Sequence, residues 1–289
     1  MHSPKPKVMV GLFDTWPLTD DVEAAVKESP AVFSRSSDRM LRAIALYTRY
    51  GRNLARPRAT VLSPLIQGLP KLGRGAQPEW LGKKLIAAAG IRIPDGALAR
   101  TAHEAATLAK QIGYPVVLKA QAASLPHKTE VGGVALSLTD EAAVRTAWDN
   151  MMRNVKHAAP NTKLDGALIE KMSPRGIELM VGGKRDSGWG TVLFLGLGGI
   201  WVEALGDMQV LPETADKLQI IEALGQLRAA KLLVGTRGAP PADLTAVAHV
   251  VMAIGGLMQS VPEISEIDIN PLTVHGEGAT ALDALIVVR

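Results

Sequence analysis

Between Pro57 and Pro78 the chain sets Pro64, Gly68, Pro70, Gly73 and Gly75 among basic residues, with neither a helical nor a strand period. No regular element is expected to cross such a stretch, so it divides the 289 residues into a short and a long segment, each needing its own core. We read residues 59–77 as a linker between a segment at 1–58 and another at 78–289. With 47% hydrophobic and 21% charged residues, the chain can bury a sizeable core. No apolar run reaches the length of about 18 residues that spans a bilayer, and Met1–Lys7 is not followed by a signal-like apolar stretch. The absence of cysteine excludes disulfides, thiolate metal sites and cysteine nucleophiles, and fits the cytoplasm. A net charge of +4 is spread along the chain and aromatics make up 4%, which argues against a nucleic-acid surface. The same mild excess suits a small anion such as a nucleotide.

The short segment reads as βαβα: a strand at Val8, Val10 and Leu12, a helix from Asp20 to Lys27, a strand at Ala31–Phe33, and a helix from Asp38 to Arg49. Two parallel strands leave both sheet edges and much of both faces uncovered, so this unit is expected to seek a partner.

In the long segment a helix at Glu79–Ala89 precedes a short strand at Ile91–Ile93. Thr101 and Glu104 form a capping box for a helix that Gly113 ends. Strands follow at Pro115–Lys119, Val134–Leu138 and Ala167–Met172, with Thr139 capping the helix between the last two. Beyond them come a hairpin at Ile177–Lys184 and Thr191–Leu195, helices across Thr214–Ser260, and a second hairpin at Glu266–His275 and Ala281–Val288. The strands of this half pair locally, so it is α+β, whereas the N-terminal segment is α/β.

Asp268 and Asn270 are two apart on a strand and share one face, with Ile267 and Ile269 on the other. A turn centred near Glu277 would bring Asp283 opposite Asn270 and Pro271, so that three oxygen donors of the kind Mg²⁺ takes converge. Most Asp-x-Asn pairs are merely solvated strand faces; Asp283, embedded in an apolar run, tips the balance. Lys119 closes an apolar strand and needs either an anion or a route to solvent. Glu170 and Glu178 flank one short crossing segment, and each reads equally well as a nucleotide contact or an exposed edge-strand charge. His127 lies in a loop with Lys128, Gly132 and Gly133, a setting suited to phosphate if the glycines leave the loop free to move. Gly196, Gly198 and Gly199 could let backbone approach a ligand.

Taken in order, Gly113-Tyr-Pro-Val-Val-Leu-Lys119, Leu125-Pro-His-Lys-Thr-Glu-Val-Gly-Gly-Val134, Ile169-Glu-Lys-Met172, Arg175-Gly-Ile-Glu178, Gly196-Leu-Gly-Gly-Ile-Trp-Val-Glu203, Glu266-Ile-Asp-Ile-Asn-Pro271 and Leu282-Asp283 resemble the ATP-grasp portion of ADP-forming acyl-CoA synthetases, relatives of the succinyl-CoA synthetase β subunit. The resemblance implies an ATP-grasp fold of two lobes, about 78–175 and 176–289, preceded by the end of a flavodoxin-like succinyl-CoA-synthetase-like domain. It implies that Lys119 contacts phosphate, that Glu170, Lys171, Met172 and Ser173 hold adenine, and that Glu178 completes the nucleotide pocket. Asp268, Asn270 and Asp283 match the Mg²⁺ positions, and His127 matches the histidine that relays phosphate to a catalytic histidine elsewhere. The implied reaction interconverts acyl-CoA, ADP and phosphate with carboxylate, CoA and ATP, with a CoA-binding partner domain expected outside these motifs and an oligomer expected overall. A non-catalytic nucleotide-sensing domain is the rival reading, and the filled lysine, histidine and metal positions disfavour it. The roles of Glu203 and Arg237 stay open.

Overall fold

In the computed structural model, residues 8–10, 19–28, 32–55, 69–125, 128–198, 206–235 and 240–289 are described. The chain divides into two compact units, residues 1–58 and 59–289.

In the first unit β1 (Val8–Val10) pairs in parallel with β2 (Val32–Ser34), in the register Val8 to Val32 and Val10 to Ser34. Leu12 and Ala31 of the expected strands lie outside the described residues. Helix α1 spans Asp20–Glu28 with Asp20, Asp21 and Glu23 in its first turn, where carboxylates meet the positive end of the helix dipole. Helix α2 runs over Ser37–Ala55, longer than the expected Asp38–Arg49. It buries Met40 but leaves Leu41, Leu46 and Tyr47 about two-thirds exposed.

The second unit holds two antiparallel sheets. The smaller is ordered β4-β7-β5-β6, from β4 (Gly96–Ala99), β5 (Val116–Gln121), β6 (Val134–Leu138) and β7 (Gly166–Lys171). Helices α4 (Ala102–Ile112) and α5 (Glu141–Ala158) contribute Ala105, Ala109, Trp148 and Met151 to its core, against Val116, Leu118 and Ile169. The Thr101 hydroxyl accepts from the Glu104 amide at 3.1 Å as a cap should, but the Glu104 carboxylate reaches the amide of Arg100 at 2.7 Å in place of that of Thr101. Gly113 ends α4 at φ +84°, in the left-handed region that glycine enters without strain. Asp140, not Thr139, caps α5: the helix starts one residue later, and the carboxylate accepts from Ala143 N at 2.8 Å.

The larger sheet is ordered β10-β9-β8-β11-β13-β3, with β12 also paired to β11. It comprises β3 (Gly75–Ala76), β8 (Ile177–Asp186), β9 (Gly190–Leu197), β10 (Met208–Pro212), β11 (Ile264–Val274), β12 (Ala279–Ala281) and β13 (Leu285–Val288). Helices α6 (Lys217–Gly225), α7 (Ala230–Leu233) and α8 (Leu244–Ser260) fill the span between β10 and β11. Val247, Val251 and Ile254 of α8 pack on Leu179, Leu193, Ile267 and Ile286.

Three expectations need correction. The end of the expected linker is structured, since Ala76 of β3 pairs with Val287 and the Gln77 amide donates to the Ile286 carbonyl at 2.8 Å. Ile91–Ile93 is not a strand: Ile91 is buried in the larger core, Arg92 O accepts a single bond from Ala281 N, and Pro94 has no N–H to continue a ladder. Helix α3 (Glu79–Ala88), assigned by sequence to the first lobe, sends Leu85 and Ile86 into the core of the larger sheet. Its first turn is tied to the smaller one, where Trp80 N donates to the Gln121 side chain at 2.9 Å. Helix α3 therefore joins both layers. Among the described residues, no helix is long and apolar enough to cross a membrane.

Candidate nucleotide and metal site

A cavity of about 790 Å³ opens between the two sheets. Its wall on the smaller sheet carries Lys119 from β5 and Glu170 from β7. On the larger sheet it carries Asp268, Asn270 and Thr273 from β11, with Asp283 from the break between β12 and β13. The segment Met172–Gly176, which passes from one sheet to the other, forms its end.

The break places Asp283. β11 pairs Leu272 with Ala281 and Asp268 with Leu285, so Asp283 falls opposite Asn270, in the stretch between these two ladders where no strand pairs with β11 on this side. Ile267 and Ile269 are fully buried on the other face. The three oxygen-bearing side chains thus line one cavity, in the register that the spacing implied. One oxygen, Oδ1 of Asp268, is buried without a hydrogen-bond partner, a costly state for a carboxylate. Burial, with Glu266 and Asp283 nearby, pushes the Asp268 carboxyl up to about 6. Asp283 is also raised, by burial and the charge of Glu79, against the pull of Lys128 and Lys119. Two acids raised by desolvation and by neighbouring carboxylates form a donor set that a divalent cation would satisfy.

Lys119 neither snorkels to solvent nor waits unpaired. Its Nζ lies 2.8 Å from Glu79 Oε1, 2.9 Å from Glu170 Oε2 and 2.5 Å from the Leu282 carbonyl. Burial works against the ammonium, but Glu79, Glu170 and Asp283 outweigh it and hold its pKa above the usual lysine value. Glu79 is the hub: it also meets Lys83 at 3.0 Å and Lys128 at 3.0 Å, and these cations overcome its burial and keep its carboxyl far below the ordinary range. Lys128 reaches Asp283 as well, at 3.3 Å.

The Glu170 side chain, 3% exposed, is no edge-strand charge: β7 lies inside its sheet, and the carboxylate is engaged by Lys83 and Lys119. Lys171 donates to the carbonyls of Gly113 at 3.0 Å and Tyr114 at 2.7 Å, and so fixes the loop entering β5. The Met172 amide is committed to the Pro115 carbonyl, while Met172 and Ser173 line the cavity. Glu178 is exposed at the cavity rim, opposite Thr273 in the strand register.

His127 lies outside the described residues, as do Gly199, Glu203 and Arg237. The glycines beside His127 do not loosen their turn. Gly133 N donates to Lys128 O at 2.7 Å, and a Cβ on Gly133 would meet that carbonyl at 2.9 Å, so Gly133 permits a tight closure. Gly196 and Gly198 likewise serve strand approach in place of ligand approach, the one against Asp207 O and the other against the backbone of Leu179. Glu79 and Lys83 were missed as site residues because an i,i+4 Glu–Lys pair on a helix reads as a solvated surface pair. The signal available was their place on the same helix as Leu85 and Ile86, with little polar face left over.

Residues 69–288 match the model of a family described as ATP-grasp domain. The chain is 34% identical over 212 residues to the β subunit of an ADP-forming acetate–CoA ligase from Pyrococcus furiosus, covering 73% of this chain and 90% of that one. It is 38% identical over 288 residues to a trans-feruloyl-CoA synthase from an unknown prokaryotic organism, covering 99% of this chain and 40% of that protein's length. A solved structure of a Candidatus Korarchaeum cryptofilum dinucleotide-forming acetyl-coenzyme A synthetase, in complex with coenzyme A, Ca-AMPCP and HgCl+, matches with a TM-score of 0.73 at 34% identity, over 75% of this chain and 95% of that one. The family model spans the two-sheet unit that holds the cavity, and the chain belongs to the ATP-grasp family, as the β-subunit-like portion of ADP-forming acyl-CoA synthetases.

Proposed function

We propose that this chain binds Mg-ATP in the cavity and carries the phosphoryl-transfer half of an ADP-forming acyl-CoA synthetase, interconverting acyl-CoA, ADP and phosphate with carboxylate, CoA and ATP. One observation carries the reading: a lysine on one sheet and three oxygen donors on the other face a single cavity. Lys119 would exchange a carboxylate for a phosphate, since an ammonium takes either anion. Asp268, Asn270 and Asp283 would hold Mg²⁺; when bound, the ion supplies charge neutralisation and orientation of the phosphate oxygens. Adenine would lie against Met172 and Ser173, with Glu178 at the rim beside it. The Glu170 side chain would act through the two lysines it holds.

His127 is proposed as the relay. The bond from the γ-phosphorus to ADP breaks as one to the imidazole forms, and neutral imidazole is nucleophilic near neutral pH. The acceptor beyond it, and the CoA and acyl sites, are proposed to lie in a CoA-binding domain of another chain or another part of a longer protein. This fits a chain that spans 40% of the length of the feruloyl relative. A solved relative is described with its phosphohistidine segment pointing towards the nucleotide site, which supports such a partner. A cytoplasmic setting supplies the ATP that the reaction needs and suits a chain without cysteine.

The test is reconstitution with a CoA-binding partner chain and a panel of carboxylic acids, following CoA-dependent ADP formation. Turnover that requires both chains and is abolished in His127→Ala is expected. Full turnover in His127→Ala would refute the relay.

A further inference from the structure

Lys83 and Lys119 meet the same three groups, the carboxylates of Glu79 and Glu170 and the carbonyl of Leu282. Lys83 Nζ lies 3.0 Å from Glu79 Oε1, 2.5 Å from Glu170 Oε1 and 2.7 Å from the Leu282 carbonyl. Lys119 Nζ lies 2.8 Å from Glu79 Oε1, 2.9 Å from Glu170 Oε2 and 2.5 Å from that same carbonyl. Each lysine hydrogen-bonds one carboxylate and the carbonyl and forms an ion pair with the other carboxylate, so both ammoniums are fully engaged by the same groups. They differ in place. The Lys119 side chain is 12% exposed and lines the cavity, whereas that of Lys83 is 2% exposed and stands behind the wall.

One cation would be enough to keep such a set of acceptors from standing bare, and a second buried lysine is expensive to desolvate. Its presence is explained if the first lysine has to leave. We infer that Lys83 is a positioning residue that stands in for Lys119: when Lys119 turns to a phosphate in the cavity, Lys83 keeps Glu79, Glu170 and the Leu282 carbonyl paired. Without Lys83, that turn would strand the buried Glu170 carboxylate and the Leu282 carbonyl, each at the full cost of a lost partner, and leave Glu79 to Lys128 alone. Lys119 would then stay with the protein, and phosphate would lose its ligand. The Leu282 carbonyl immediately precedes Asp283, so the same lysine holds the metal-facing acid in its place in the broken ladder.

The inference rests on the nucleotide reading above, and its test separates the two. Calorimetry with Mg-ATP and with adenosine is run on the full chain as wild type, Lys83→Met and Lys83→Met/Glu79→Gln. In Lys83→Met, Mg-ATP affinity is expected to fall roughly tenfold or more with adenosine affinity unchanged, because Lys119 is present but retained by two carboxylates. In the double variant one of those carboxylates is gone, so Lys119 is released and most of the Mg-ATP affinity returns. A lysine that merely supports the fold would lower both ligands together and would not be rescued by losing a second charge. Wild-type Mg-ATP affinity in Lys83→Met, or a double variant that binds no better than the single one, would overturn the inference. A wild type that binds no Mg-ATP would overturn the nucleotide reading, and the inference with it. Should Lys83→Met fail to fold, NMR of wild type carrying ¹³C-lysine decides: Mg-ATP is expected to shift the Lys119 Cε signal, assigned by its loss in Lys119→Met, far more than that of Lys83. Equal shifts for the two would overturn the inference.

Discussion

Asp268 is held at a loss when no cation is bound. Its carboxyl titrates at about 6, against an ordinary value of 3.8. A carboxylate with a raised folded-state value contributes nothing unfavourable below the unfolded value, and weakens the fold progressively as pH rises from the unfolded value to the folded one. The metal-free protein should therefore lose stability at this residue between about pH 4 and pH 6, by an amount on the order of 2–3 kcal/mol. Asp268→Asn removes the charge and keeps the shape. In EDTA, urea unfolding should find this variant more stable than wild type at about pH 7.5, with the advantage gone near pH 4. Equal stability at the higher pH would contradict the desolvated carboxylate. Asp268, Asn270 and Asp283 were legible because strand alternation and turn position are local arithmetic. Glu79 and Lys83 were not: Lys83 meets Glu170 across 87 residues and Leu282 across 199, and no local pattern carries such partners.

Among the secondary structures, those with local causes were read well and those with distant causes were not. The strand at Val134–Leu138 matches to the residue, and the helix ended by Gly113 follows from a backbone conformation that glycine favours. β3, by contrast, is two residues long and exists because Val287 offers an edge to Ala76, 211 positions away in the chain; nothing in a Pro- and Gly-rich stretch announces it. β10 was likewise missed, although its burial alternates. Asp243 shows how one cap can tie two elements: its carboxylate accepts from Ala246 N at 2.9 Å at the start of α8 and from Gly278 N at 3.0 Å in the turn between β11 and β12. Asp243→Ala should cost about 1–2 kcal/mol, more than an isolated exposed cap, because two amides lose their acceptor. Thermal unfolding would measure it, and a change within experimental error would show that water replaces the carboxylate without penalty.

The two units have different prospects alone. Residues 69–289 contain both sheets, both cores and every described site residue, so they are expected to fold without the first unit and to bind Mg-ATP within about twofold of the full chain. A fragment that is unfolded by circular dichroism would contradict this. The first unit, with a two-stranded parallel sheet and an exposed apolar face on α2, is expected to cover itself by association. Light scattering on the full chain should report species larger than a monomer as concentration rises, and a strict monomer would count against it. The nucleotide site proposed for the second unit rests on the meeting of a lysine and a metal-type donor set across one cavity. Calorimetric titration of ATP into wild type and Asp268→Ala, with Mg²⁺ and with EDTA, addresses that meeting. Binding to wild type that depends on Mg²⁺, weakened roughly tenfold or more in Asp268→Ala, is the predicted result; unchanged affinity and unchanged metal dependence in the variant would contradict it.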